Sequence, residues 1–132
     1  MIGLDTNALV RLVIKDDAEQ AELIRATVRG IVAEGKRCFI NRIALVEFVW
    51  VVESVYDQPR AEISRFIEAF LENDDLCIED RDAAQCALSR YRDNRADFSD
   101  ALIGLRNRDA GCATTLTFDR KAARLPEFQI LS

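Results

Sequence analysis

Met1-Ile2-Gly3-Leu4-Asp5-Thr6-Asn7-Ala8-Leu9 opens the chain: a four-residue apolar run, an acid, then two polar residues suited to starting a helix. The run has the length and character of a buried strand, and Thr6-Asn7 mark the turn into a helix. A strand-to-helix junction with a carboxylate at the strand's end is the first unit of an alternating α/β chain. The same grammar returns near the other terminus, where the strand-like Ala113 to Phe118 closes on Asp119.

Between these ends the alternation continues. Ala21, Ile24, Val28, Ile31 and Val32 mark one helical face that Gly35 ends, and Cys38-Phe39-Ile40 reads as a second strand. Residues 43 to 56 predict a largely buried helix. Pro59 starts another, whose Ile63, Phe66, Ile67, Phe70 and Leu71 follow the i, i+3, i+4, i+7, i+8 pattern. Asn73-Asp74-Asp75 stops it before a third strand, Leu76-Cys77-Ile78. Ala83, Ala84, Ala87, Leu88 and Tyr91 line the next helix, which Asn94-Arg95 breaks. A helix from Asp97 to about Arg108, punctuation at Gly111, and a fifth strand over residues 128–131 complete the pattern. Short apolar strands separated by longer helices predict a parallel sheet with helices on both faces, and ligands bind at the carboxyl ends of such strands. Asp5 and Asp119 each stand at such an end. No repeat, low-complexity segment or linker interrupts the chain, so 1–132 is read as one domain.

Composition narrows the function classes. The 132 residues are 49% hydrophobic and 31% charged, ordinary for a soluble globular protein, with a formal charge of -5 and no histidine. A negative chain does not coat nucleic acid nonspecifically, because backbone affinity comes largely from Lys and Arg. A nuclease whose acids hold cations remains compatible with that charge. Lys15, Lys36 and Lys121 are the lysines among 18 basic residues; the others are arginines, of which Arg42, Arg92, Arg95 and Arg120 are candidates to meet phosphate. Cys38, Cys77, Cys86 and Cys112 form no C-x-x-C pair and lack histidine to complete a zinc set, so they read as reduced thiols. The start does not have the form of a signal peptide, and no apolar run approaches the roughly 20 residues of a membrane span. A cytoplasmic protein is expected.

The acids carry the chemistry. Asp5 alone also fits a helix N-cap, and Asp97 with Asp100, spaced i, i+3 at a helix start, resembles a capping box. The same spacing points both carboxylates the same way. Glu47 is the one charge in the apolar stretch Ile43 to Val52, with no cation at i±4; an exposed stripe is the competing explanation. Asp119 before Arg120-Lys121 fits a turn with a local ion pair. Taken together, these acids look placed where a fold would bury them, and a buried carboxylate needs a partner. Converging carboxylates about 4 Å apart repel by roughly 4 kcal/mol per pair at an effective dielectric near 20. Protonation or a cation relieves that. Oxygen-only ligands favour Mg²⁺ or Mn²⁺ over zinc, and such sites accept phosphate oxygens, which leads to metal-assisted phosphodiester cleavage. Without histidine, the base is a carboxylate or a metal-activated water. Phosphate-binding glycine loops and nucleophile elbows are absent. Trp50, Phe48 and Phe98 are aromatic enough to stack on bases, although aromatics in apolar helices usually belong to the core.

These residues together resemble a PIN-domain ribonuclease, and within that family a VapC-type toxin of a type II toxin–antitoxin pair. The matching segments are Ile2-Gly3-Leu4-Asp5-Thr6-Asn7, Glu47, Ala96-Asp97-Phe98-Ser99-Asp100-Ala101-Leu102-Ile103-Gly104 and Leu116-Thr117-Phe118-Asp119-Arg120. The resemblance implies a three-layer α/β/α fold around a parallel five-stranded sheet and an endoribonuclease that cleaves RNA phosphodiester bonds with Mg²⁺ or Mn²⁺. It assigns Asp5, Asp100 and Asp119 to the metal, Glu47 to a second ion or the attacking water, and Asp97 to an additional ligand or support. Asn7 and Thr117 match positions that stabilise the acidic site. A cognate antitoxin and a homodimer are implied partners. Gly104 departs from the alanine of many relatives and is expected to loosen helix packing slightly. The alternative function is a catalytically silent PIN-like module that binds RNA or protein. A phosphatase of the haloacid-dehalogenase type is disfavoured, since it wants a second Asp where this chain has Asn7.

Overall fold

A computed structural model describes residues 1–93 and 96–132, so the helix break read at Asn94-Arg95 lies outside the described residues. The chain divides into two compact units, Met1–Arg81 and Asp82–Ser132.

In the first unit β1 (Ile2–Gly3), β2 (Cys38–Ile40) and β3 (Leu76–Ile78) form a parallel sheet in that order, with Ile2 opposite Cys38 and Cys38 opposite Leu76. Two helices fill each crossover: α1 (Thr6–Val13) and α2 (Ala18–Ala33), then α3 (Arg42–Ser54) and α4 (Arg60–Glu72). Side chains start three of them. Asp5 accepts from Ala8 N–H, Asp17 from Gln20 N–H and Asn41 from Ala44 N–H, each satisfying an amide that a helix leaves open. Gly35 ends the second with φ +77°, the left-handed conformation a glycine adopts without strain. Leu9, Ile40, Phe48, Val52, Ile63 and Ile67 are fully buried, and Phe48 meets Phe70 edge to face at 5.1 Å, packing α3 on α4.

In the second unit α5 (Arg81–Asp93) and α6 (Phe98–Asp109) precede β4 (Thr115–Thr117) and β5 (Phe128–Ile130), a parallel pair with Thr115 opposite Phe128. Tyr91 and Phe98 pack edge to face at 6.2 Å. Glu127 ties the unit together. Its backbone oxygen accepts from Thr115 N–H at 2.9 Å, and its carboxylate, 7% exposed, accepts from Arg90 Nη2 at 3.1 Å. Among the described residues all strand pairing is parallel, and the five strands, expected in one sheet, pair as a three-stranded and a two-stranded sheet.

Two expectations need correction. Gly104 does not loosen α6; a Cβ there would stand 2.6 Å from the ring of Phe128 and 3.0 Å from Glu127 Cβ, so the missing side chain is what lets β5 approach the helix. The helix over 43–56, expected to be largely buried, turns Ile43, Glu47 and Trp50 to solvent while Leu45, Phe48, Val49 and Val52 face the core. Glu47 therefore sits on an exposed stripe, and one unburied ridge of apolar residues runs along α3.

Candidate metal centre

Asp5, Asn7 and Glu47 lie in the first unit. Asp5 follows β1 directly, where Leu4 N–H donates to Phe39 C=O at 2.9 Å and holds the strand's end against β2. One Asp5 oxygen caps α1 at 2.9 Å from Ala8 N–H, and the side chain remains exposed. Thr6 Oγ1 donates to Glu47 Oε1 at 3.4 Å, which brings the start of α1 to the middle of α3 across 41 residues of sequence. Sequence reasoning missed Thr6 because its role needs a partner that only the fold supplies. Asp5 and Asn7 also line a groove of about 370 Å³ with Arg11, Gln20, Leu23 and Ile24.

Asp97, Asp100, Thr117 and Asp119 lie in the second unit. Asp97 caps α6, accepting from Ser99 N–H at 3.1 Å and Ser99 Oγ at 3.0 Å, while Asp100 lies one turn in and is half-buried. Burial pushes the Asp100 carboxyl above the usual range, Asp97 and Asp119 push it further, and Lys121 acts in the opposite sense. Thr117 Oγ1 accepts from Asp119 N–H at 2.9 Å, and Asp119 Oδ1 accepts from Lys121 N–H at 2.8 Å. That turn holds the third acid in place. Thr117 thus supports Asp119 through its backbone.

The expectation that the acids are buried is not met: Asp5, Glu47, Asp97 and Asp119 are exposed and Asp100 is intermediate. Strand ends and helix caps lie at the rim of each unit, where carboxylates keep water. Among the described residues of either unit, no three acidic or thiol groups stand close enough to share one ion. What the second unit does contain is a half-buried Asp100 opposed by the charges of Asp97 and Asp119, with hard oxygen donors that suit a divalent cation. The residues present fit such an ion chemically.

The other candidates sort clearly. Arg42 is engaged by Asp80 at 2.7 Å and Glu79 at 3.6 Å, an internal latch at the start of α3. Arg92 and Arg120 are exposed, and Arg95 lies outside the described residues. Phe48 and Phe98 belong to the core, as aromatics in apolar helices usually do, whereas Trp50 is 62% exposed. Cys38 is buried, Cys112 is exposed, and all four thiols are free. No helix among the described residues is long and apolar enough to cross a membrane.

Comparison with known proteins adds ancestry to this geometry. The chain is similar to a protein of Aquifex aeolicus (strain VF5) named VapC ribonuclease, 22% identical over 122 residues, which is 92% of this chain and 90% of that one. The PIN domain family model matches residues 2–127, from β1 through the β4–β5 connection and across every acid named above. A parallel α/β chain matched over that length belongs to the PIN domain family.

Proposed function

We propose that this protein is a metal-dependent endoribonuclease, the toxin of a toxin–antitoxin pair, built as one PIN domain over residues 1–132. The observation that carries the reading is the electrostatic grouping of Asp97, Asp100 and Asp119, an arrangement that costs stability unless a cation offsets it. The likeness to a protein named VapC ribonuclease supports RNA as the substrate.

In this reading Asp5, Asp100 and Asp119 hold Mg²⁺ or Mn²⁺, Glu47 holds a second ion or orients the attacking water, and Asp97 lends additional negative charge. Such a cation, when bound, polarises the phosphodiester and makes water a better nucleophile near neutral pH. The chain's own groups do the rest. Thr6 reaches Glu47 through its hydroxyl at 3.4 Å, a long contact that biases the carboxylate's orientation. Thr117 fixes the backbone of Asp119. Lys121 offsets part of the upward push that burial, Asp97 and Asp119 exert on the Asp100 carboxyl. With no histidine in the chain, proton transfer falls to Glu47 or to water.

The toxin reading brings a cognate antitoxin, a homodimer and a cytoplasmic setting. The exposed apolar residues Ile43 and Trp50 on α3 are consistent with a protein partner.

The test is cleavage of total RNA by purified protein with Mg²⁺, Mn²⁺ or EDTA. Discrete fragments are expected with either metal and none with EDTA. Asp5→Asn and Asp100→Asn should each slow cleavage by about 10²–10³-fold, the rate equivalent of several kcal/mol of lost charge stabilisation. Variants that cut as fast as wild type would sink the proposal, and RNA binding without turnover at any metal concentration would favour a silent binding module.

A further inference from the structure

The groove between α1 and α2 shares Asp5 and Asn7 with the proposed centre, and of its other polar lining residues, Arg11, Gln20 and Thr27, Gln20 is preset. Arg11 Nε donates to Gln20 Oε1 at 2.7 Å, while Arg11 Nη1 is engaged by Asp16 and by Tyr56 Oη. Arginine has only donors, so the Gln20 amide has one possible orientation: its oxygen faces Arg11, and its NH₂ is left to donate elsewhere. Gln20 is exposed at the first turn of α2, with its backbone N–H held by Asp17 at 3.0 Å, and Leu23 and Ile24 supply apolar wall one turn on. At about 370 Å³ the groove falls within the range of small-molecule sites, about 300–1,000 Å³.

We infer that this groove seats one unpaired nucleobase of the RNA beside the cleaved bond, and that Gln20 selects bases with a carbonyl oxygen at purine C6 or pyrimidine C4, guanine and uracil, over those with an amino group there, adenine and cytosine. The inference rests on the ribonuclease reading and deepens it. Guanine and uracil offer acceptors where adenine and cytosine carry NH₂ donors, so a fixed donor meets a partner in one pair and another donor in the other. A base can enter only if it is unstacked, which restricts the substrate to single-stranded or looped RNA. Asp5 and Gln20 line the same groove, so a nucleotide whose phosphate lies at Asp5 presents its own base to that groove. A peptide segment of a protein partner is the competing occupant, and it would impose no base preference.

Gln20→Glu tests this directly. Aspartate at the cap and an acid three residues on suit a helix start, so α2 tolerates the change. One carboxylate oxygen keeps the Arg11 contact, and the other presents an acceptor in place of the donor. Full-length protein is incubated with Mg²⁺ and a single-stranded RNA pool randomised along its length, and the cut ends are sequenced. Wild type should favour guanine and uracil over adenine and cytosine at one position near the cut by about three- to tenfold, the worth of one hydrogen bond. Gln20→Glu should invert that preference, and Gln20→Ala should flatten it while cleavage persists. Cleavage by wild type with no such preference, or a Gln20→Glu pattern identical to wild type, overturns the inference and leaves the ribonuclease reading intact. Wild type that cuts nothing in the pool under any metal overturns both.

Discussion

Asp100 shows how one residue couples stability to chemistry. Its folded-state carboxyl binds a proton more tightly than the unfolded chain does, because burial and two neighbouring acids oppose its charge. The folded state therefore loses stability as pH rises from the ordinary carboxylate range through the raised value, and the loss is complete above that value. Asp100→Asn removes that repulsion. In EDTA at pH 7 the variant should melt above wild type, and the gap should close as pH falls below the ordinary range; thermal scans across pH measure it. A variant that melts lower throughout would mean the carboxylate is held by bonds rather than strained by charge. The residues bearing this chemistry were legible in the sequence because strand ends announce themselves: Asp5 and Asp119 each close an apolar run. Thr6, Lys121 and Gln20 were not, since each acts through a partner distant in sequence or through a turn's geometry.

Among the elements, α6 and β5 make the closest approach, and Gly104 permits it. Alanine there would gain up to about 1 kcal/mol of helix propensity. Its Cβ would also meet the Phe128 ring at 2.6 Å and force β5 or the ring to move. Overpacking of this kind costs about 1–3 kcal/mol, so Gly104→Ala should lower the urea midpoint despite the better helix former. An unchanged or raised midpoint would show that the ring yields freely. The contrast between α4 and α3 explains which elements sequence could orient. Ile63, Ile67, Phe70 and Leu71 stand apart from polar neighbours and declare their buried face. In α3 apolar residues surround the whole axis, so no polar stripe marks the outside and the exposure of Ile43 and Trp50 was hidden. Glu47 was the sole clue.

For the molecule as a whole, the net charge of -5 favours cations as counterions, and the proposed metal role of the site acids predicts a specific response to divalent ones. Millimolar Mg²⁺ or Mn²⁺ should raise the melting temperature by about 3–8 °C, the equivalent of roughly 1–2 kcal/mol of linked binding. Sodium chloride of equal ionic strength should not, and Asp100→Asn should shrink the shift. Equal shifts from sodium would reduce the effect to general screening. The alternating α/β plan was readable because the strands are short and bounded by breakers, and β2 and β3 are apolar throughout. Which hydrogen bonds join strand to strand was beyond it, since register follows from tertiary packing. Trp50, finally, is the chain's single tryptophan, on the open stripe of α3 three residues past Glu47. Its indole emits from water until something settles over that stripe and dries it, so the protein's own fluorescence colour, without any label, tells when an occupant has arrived next to Glu47.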